Sequence, residues 1–222
     1  MGGGAVPPDD VLSLGLNRLR LSRILYYHEL YQKVIGVPGV VCEFGVRWGS
    51  TMILLENLRG MLEPYNFSRK VVGFDTFEGF PSVNQKDSLC NAVGDCSVYD
   101  KYEDTLSMIL TLHENLSPVS HIQKFELVKG DASITIKKWL SDNPHTVISM
   151  AIFDMDVYQP THDVLKAILP CLVKGSVLVF DELNVKHHPG ETIAVKEILG
   201  LNNIRMHHNP HQPQCAWAIF GE

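Results

Sequence analysis

The chain has 222 residues, 45% hydrophobic and 20% charged, enough for one domain with a full core. Its formal net charge of −6 offers no basic field to a nucleic-acid backbone. No apolar run reaches the roughly 18–20 residues of a membrane-spanning helix, and "MGGGAVPPDD" lacks the basic and apolar regions of a signal peptide.

Residues 1–10 read as a disordered lead-in and 11–222 as a single domain. "VLSLGLNRLRLSRILYYHELYQKVI" (11–35) carries apolar positions at helical spacing, ended by Gly36 and Pro38. Arg20, Arg23, Tyr26, Tyr27 and His28 on this helix can cover a substrate or cofactor. Packing on the sheet, or on a second copy in a homo-oligomer, explains them equally well. Strands are then expected at 39–44, 70–75, 125–130, 146–154 and 176–181. Helices are expected between and after them at 50–61, 102–116, 133–142, 161–172 and 191–200. Two further strand-like runs, "NIRMHH" and "QCAWAIFG", are joined by only "NPHQP", too short for a helical crossover, so they should be antiparallel neighbours. The expected architecture is α/β: a seven-stranded, mostly parallel sheet with the last strand antiparallel, covered on both faces. Residues 76–101 have no period and read as a flap over a site.

The five cysteines form no C-x-x-C pair. Cys42, Cys171 and Cys215 sit in apolar runs, as small core residues do. Cys90 and Cys96 share a polar loop and can pair under oxidising conditions, but a reduced cytoplasmic chain is expected.

In such sheets ligands bind at the carboxyl ends of the strands. "EFGVRWGST" (43–51) follows strand one. Gly45 and Gly49 permit a sharp turn and a close backbone approach, without the dinucleotide fingerprint or a Walker lysine. Glu43 can accept from a cationic or hydroxyl-bearing ligand. Ser50 and Thr51 can cap the next helix, whose N-terminus suits a carboxylate. Asp75 ends strand two, where an acid bonds a ribose diol. A ligand-free turn and a simple loop cap are the alternatives for each feature alone. Together they describe a nucleoside-type cofactor, adenosine over strand two and its amino-acid end over the turn.

Asp154 ends strand four in "IFDMDVYQPT", and Asp181 and Glu182 end strand five 27 residues later. Converging carboxylates repel unless a cation lies between them, and oxygen ligands suit Mg²⁺, Mn²⁺ or Ca²⁺. Asp156, two residues on, can be a general base or a helix cap. "IFDMDV" also fits a haloacid-dehalogenase-type phosphatase nucleophile or a glycosyltransferase D-x-D. Its place after four strands, with the cofactor turn on the first, argues against both. His187, His188, His207, His208 and His211 crowd the late loops without helical metal-ligand spacing.

"VCEFGVRWGST", "VVGFDTFEGFP", "IFDMDVYQPT" and "LVFDELNVKHHPGET" resemble class I S-adenosylmethionine-dependent methyltransferases. Within these they resemble the macrocin O-methyltransferase family, in particular its dTDP-6-deoxyhexose O-methyltransferases, over residues 15–222. The resemblance implies a Rossmann-like methyltransferase fold with an added N-terminal helix, S-adenosylmethionine and Mg²⁺ as cofactors, and a sugar acceptor, nucleotide-linked or part of a related glycoside. It implies Glu43, Gly45, Gly49, Ser50, Thr51, Asp75, Asp131 and Asp154 around the cofactor. It also implies Asp154, Asp181 and Glu182 on the metal, and Asp156 as base. Glu182 replaces the family's usual aspartate. Val157 stands where related catechol methyltransferases carry a lysine base, which shifts that role to Asp156, His187 or His188. A non-catalytic scaffold of the same fold would have lost the turn or the acids, and the sequence keeps both.

Overall fold

A computed structural model describes residues 14–222, so the lead-in and the start of the first expected helix lie outside the described residues. Helix α1 (Arg18–Val34) begins where Asn17 accepts hydrogen bonds from the N–H groups of Leu19 and Arg20. It is followed by β1 (Val40–Phe44), α2 (Ser50–Leu62), β2 (Val71–Asp75), α3 (Tyr102–Leu116), β3 (Phe125–Lys129) and α4 (Ala132–Asp142). Then come β4 (Ile148–Phe153), α5 (Tyr158–Ile168), β5 (Leu172–Phe180), α6 (Pro189–Ile198), β6 (Met206–Asn209) and β7 (Gln212–Ile219). Residues 76–101 contain no helix or strand, as expected of the flap.

Helix α5 starts three residues earlier than the apolar pattern suggests. Pro160 falls within its first turn, where a missing N–H leaves no bond broken. Strand β5 starts four residues early, at Leu172. It carries a register irregularity against β4, and Gly175 lies at φ 97°.

The sheet order is β3-β2-β1-β4-β5-β7-β6, with β7 alone reversed, antiparallel to both β5 and β6. Alternation along the strands buries both faces. Val41, Met150, Ile152, Val177 and Val179 pack with α1, α2 and α3. Cys42, Phe44, Ala151, Phe153, Leu178 and Phe180 pack with α4, α5 and α6. On that second face Phe74, Phe44, Phe153 and Phe180 stack in a row, centroids 4.9, 5.5 and 5.2 Å apart. The four phenylalanines are in register across β2, β1, β4 and β5, so the next residues form one row at the carboxyl ends: Asp75, Gly45, Asp154 and Asp181. Backbone bonds lock that row. Gly45 donates to the Phe74 carbonyl (2.9 Å), Asp154 to Phe44 (2.8 Å) and Asp181 to Phe153 (3.1 Å). The chain reverses direction across the sheet between β1 and β4, and the crevice outside their carboxyl ends is the expected ligand position.

Candidate functional site

A cavity of about 260 Å³ opens at this switch point. Glu43, Gly45, Ser50 and Thr51 border it from the first turn. Asp75, Asp131, Asp154 and Asp156 border it from the tips of β2, β3 and β4. Gly49, Asp181, Glu182, His187 and His188 do not. Gly49, at φ 73°, is the N-cap of α2, and a Cβ there would run into the Leu106 side chain rather than the cavity. This corrects the expectation that Ser50 or Thr51 caps α2: no side chain does. The first-turn N–H groups are thereby left to solvent or an anion.

Glu43 is 1% exposed and its Oε2 has no hydrogen-bond partner. Burial, and then Asp154, push its pKa well above the carboxylate range, against the nearby Arg23 charge. An incoming donor at this oxygen would relieve a buried orphan. Asp75 braces the turn and the flap together, accepting from Arg47 N–H at 2.7 Å and Phe77 N–H at 2.6 Å. Asp131 is the N-cap of α4, bonded to Ser133 N and Oγ at 2.9 and 2.7 Å.

An arginine stands among the acids expected to share one metal. Arg23, from α1, reaches Asp154 Oδ2 at 3.3 Å, Asp181 Oδ1 at 3.2 Å and Thr51 Oγ1 at 2.9 Å. Cys215 donates its thiol to Asp181 Oδ1 at 3.2 Å. The guanidinium thus stands between the two carboxylates. Even so, burial and Asp181 raise the Asp154 pKa well above its ordinary value.

Glu182 groups instead with Asp156 and His188, the three offering one donor atom each within 4.8 Å of one another. His188 Nδ1 lies 3.8 Å from Asp156 Oδ1, and its Nε2 3.6 Å from Glu182 Oε2. Glu182 Oε2 and His188 Nδ1 are buried without hydrogen-bond partners, which suits a cation between them. Burial raises the Asp156 pKa, opposed by His188 and Arg47 and reinforced by Asp181. Burial and then Asp156 raise that of Glu182.

Two supporting carboxylates escaped the sequence reading. Glu191 is fully buried in the first turn of α6 and accepts from Glu182 N–H at 3.0 Å, holding that segment under the cluster. The "PGET" after the acid pair was its only signal. Asp87, in the flap, accepts from Tyr158 N–H at 2.6 Å and so caps α5, whose own N-cap, Val157, has no side-chain bond. The flap also sends Lys86 Nζ to Glu197 at 2.6 Å, and sets Cys96 Sγ 4.0 Å from Asp156 Oδ2. All five cysteines are free thiols, so Cys90 and Cys96 are not paired. Asp87→Ala is expected to cost about 1 kcal/mol for the lost cap, a fall of about 2–4 °C in Tm at this chain length. Asp87→Asn, which keeps an oxygen for Tyr158 N–H but sets its amide against Asn84 N–H, should recover only part of the loss by scanning calorimetry.

His187 is exposed and makes no side-chain hydrogen bond or ion pair among the described residues. His207 stacks on Trp217 at 4.2 Å, on the strands away from the cavity. His208 and His211 are exposed.

A family model described as "Macrocin-O-methyltransferase (TylF)" matches residues 10–209. The chain is 28% identical over 152 residues to mycinamicin III 3''-O-methyltransferase of Micromonospora griseorubida. That match covers 66% of this chain and only 56% of the relative, little more than half its length. The crystal structure of CalS11, a calicheamicin methyltransferase, aligns with a TM-score of 0.94 at 40% identity, over 99% of this chain and 88% of the other. The apo structure of CalS11, described as a TDP-rhamnose 3'-O-methyltransferase, aligns at 0.87 with 38% identity, over 99% and 89%.

Proposed function

Because the chain belongs to the macrocin O-methyltransferase family, we propose that it methylates a hydroxyl of a nucleotide-linked deoxysugar, using S-adenosylmethionine and Mg²⁺. The observation that carries this reading is the shared cavity. It brings the partnerless oxygen of Glu43 and the Asp75 tip within the same walls as Asp154 and Asp156. When bound, S-adenosylmethionine supplies an electrophilic sulfonium methyl; the acceptor oxygen bonds to that carbon as the C–S bond breaks, and one proton is released.

In this reading Glu43 accepts from the ammonium of the methionine end. Ser50, Thr51 and the uncapped start of α2 receive its carboxylate. Asp75 bonds the ribose hydroxyls, and Asp131 borders the adenine. Glu182, Asp156 and His188 would hold the divalent cation, which would supply Lewis acidity that lowers the pKa of an acceptor hydroxyl. Asp154 and Asp181 adjoin this cluster and would serve as ligands only with Arg23 displaced; in place, its charge lessens their mutual repulsion. Asp156 Oδ1 faces His188, and Oδ2, on the flap side, takes the acceptor's proton. Alignment of the two reactants supplies the larger share of the rate.

The test is methyl transfer from S-adenosylmethionine to a panel of nucleotide-linked deoxysugars, with calorimetry of cofactor binding alongside. Turnover of at least one sugar is expected, and EDTA should lower it by about 10²-fold or more, with recovery on adding Mg²⁺. Absence of cofactor binding would overturn the reading in favour of a scaffold. Full activity in chelator would remove the metal alone.

A further inference from the structure

The reading above leaves open what meets the far end of a nucleotide-linked acceptor, and the inference here rests on it. The mouth is crowded with carboxylates, which repel a diphosphate unless a cation receives it. Two arginines border the cavity, Arg23 and Arg47. Arg23 is committed to Asp154 and Asp181. Arg47 has no ion pair and no side-chain hydrogen bond among the described residues, and it is exposed.

Its backbone is not relaxed. Arg47 sits at φ 48°, in the left-handed region that side chains rarely adopt, fixed there by its N–H bond to Asp75. It borders the same cavity as Asp156 and Cys96. The guanidinium therefore belongs to the acceptor side of the cavity, although its amide belongs to the cofactor turn.

Trp48, beside it, also borders the cavity and is 45% exposed, which is unusual for so large an apolar side chain. It is held rather than loose. Tyr102 packs edge-on at 4.9 Å and donates its hydroxyl to the Trp48 carbonyl at 2.9 Å, and Tyr99 lies 6.0 Å away. A braced, half-exposed indole is a stacking surface.

We propose that Arg47 and Trp48 form the nucleotide end of the acceptor site: the guanidinium binds the diphosphate, and the indole stacks on the base. A guanidinium suits phosphate by its paired N–H groups, and an aromatic face accepts a nucleobase. In a sugar nucleotide one pyranose ring separates the diphosphate from a ring hydroxyl. A cation bordering the same cavity as Asp156 thus stands where the diphosphate falls when the hydroxyl meets the base. A glycoside without phosphate has no partner for that charge.

The experiment is calorimetric titration of thymidine diphosphate and, separately, of S-adenosylmethionine into the full chain and its variants. Arg47→Gln is expected to weaken thymidine diphosphate binding at least tenfold and leave cofactor affinity within about twofold, as removing one charged phosphate contact does. Arg47→Lys should recover part of the loss and Trp48→Phe most of the stacking, whereas Trp48→Ala should not. Equal diphosphate affinity in wild type and Arg47→Gln overturns the proposal. So does a wild-type chain that ignores thymidine diphosphate while methylating a phosphate-free glycoside. Loss of cofactor binding in the wild type would instead count against methyl transfer itself.

Discussion

Asp156→Asn is expected to slow methyl transfer by about 10²–10⁴-fold, the range a positioned general base contributes, without weakening S-adenosylmethionine binding. Asp156 stands beyond the strand tip that carries Asp154, at φ 61°, in a conformation that aspartate tolerates better than most residues. Its carboxylate has His188 on one side and the flap on the other. Asparagine keeps shape and volume but cannot take the proton. Single-turnover rates at saturating cofactor measure the loss directly. The pH profile adds a second readout. Activity should fall as pH drops and Asp156 takes up a proton, and the variant's residual activity should lack this limb. Burial moves that limb upward and a bound divalent cation moves it back down, so it should lie at higher pH without Mg²⁺ than with it. If Asp156→Asn keeps more than a tenth of the rate, Asp156 is not the base.

How far the site could be read from sequence follows from what a sequence records. Strand tips are local. "EFG", "GFD", "IFD" and "VFD" each end an apolar run in phenylalanine followed by a residue at the carboxyl end of the sheet. The parallel sheet then brings those endings into one row. Partnerships across the fold are not local. Arg23 meets Asp181 from 158 residues away, and no period of α1 marks which arginine turns inward. Arg23 therefore stands between Asp154 and Asp181, two of the three residues expected on the metal. The flap shows the same limit. Asp87 caps a helix 71 residues later, and an aperiodic stretch gives no sign of where its carboxylates dock. Ser50 and Thr51 suggested a cap by residue type, but the left-handed Gly49 had already ended the turn.

The glycine turn carries the second large effect. Gly45→Ala is expected to destabilise the chain by about 3 kcal/mol or more, combining an overpacking term with the strain of a side chain at positive φ. Gly45 lies at φ 96°, and a Cβ there would stand 1.8 Å from the Asp154 carbonyl oxygen and 2.5 Å from its carbon. These are backbone atoms of a neighbouring central strand, so no rotamer change relieves the contact. The peptide before that carbonyl is also tied in place, because Asp154 N–H is bonded to Phe44 and Asp181 N–H to Phe153. The methyl group must therefore push the tips of β1 and β4 apart, at the point where the cofactor turn meets the acidic cluster. Tm should fall by about 6–12 °C at this chain length, and cofactor affinity should fall with it. Gly94→Ala separates the two causes. Gly94 has φ 87°, but a Cβ there meets nothing within 4 Å, so only the backbone strain of about 1 kcal/mol remains. Equal melting shifts for the two variants would mean that the strands have room at Gly45. A shift several times larger for Gly45→Ala means that the close approach of β1 to β4 excludes every side chain from the floor of the site.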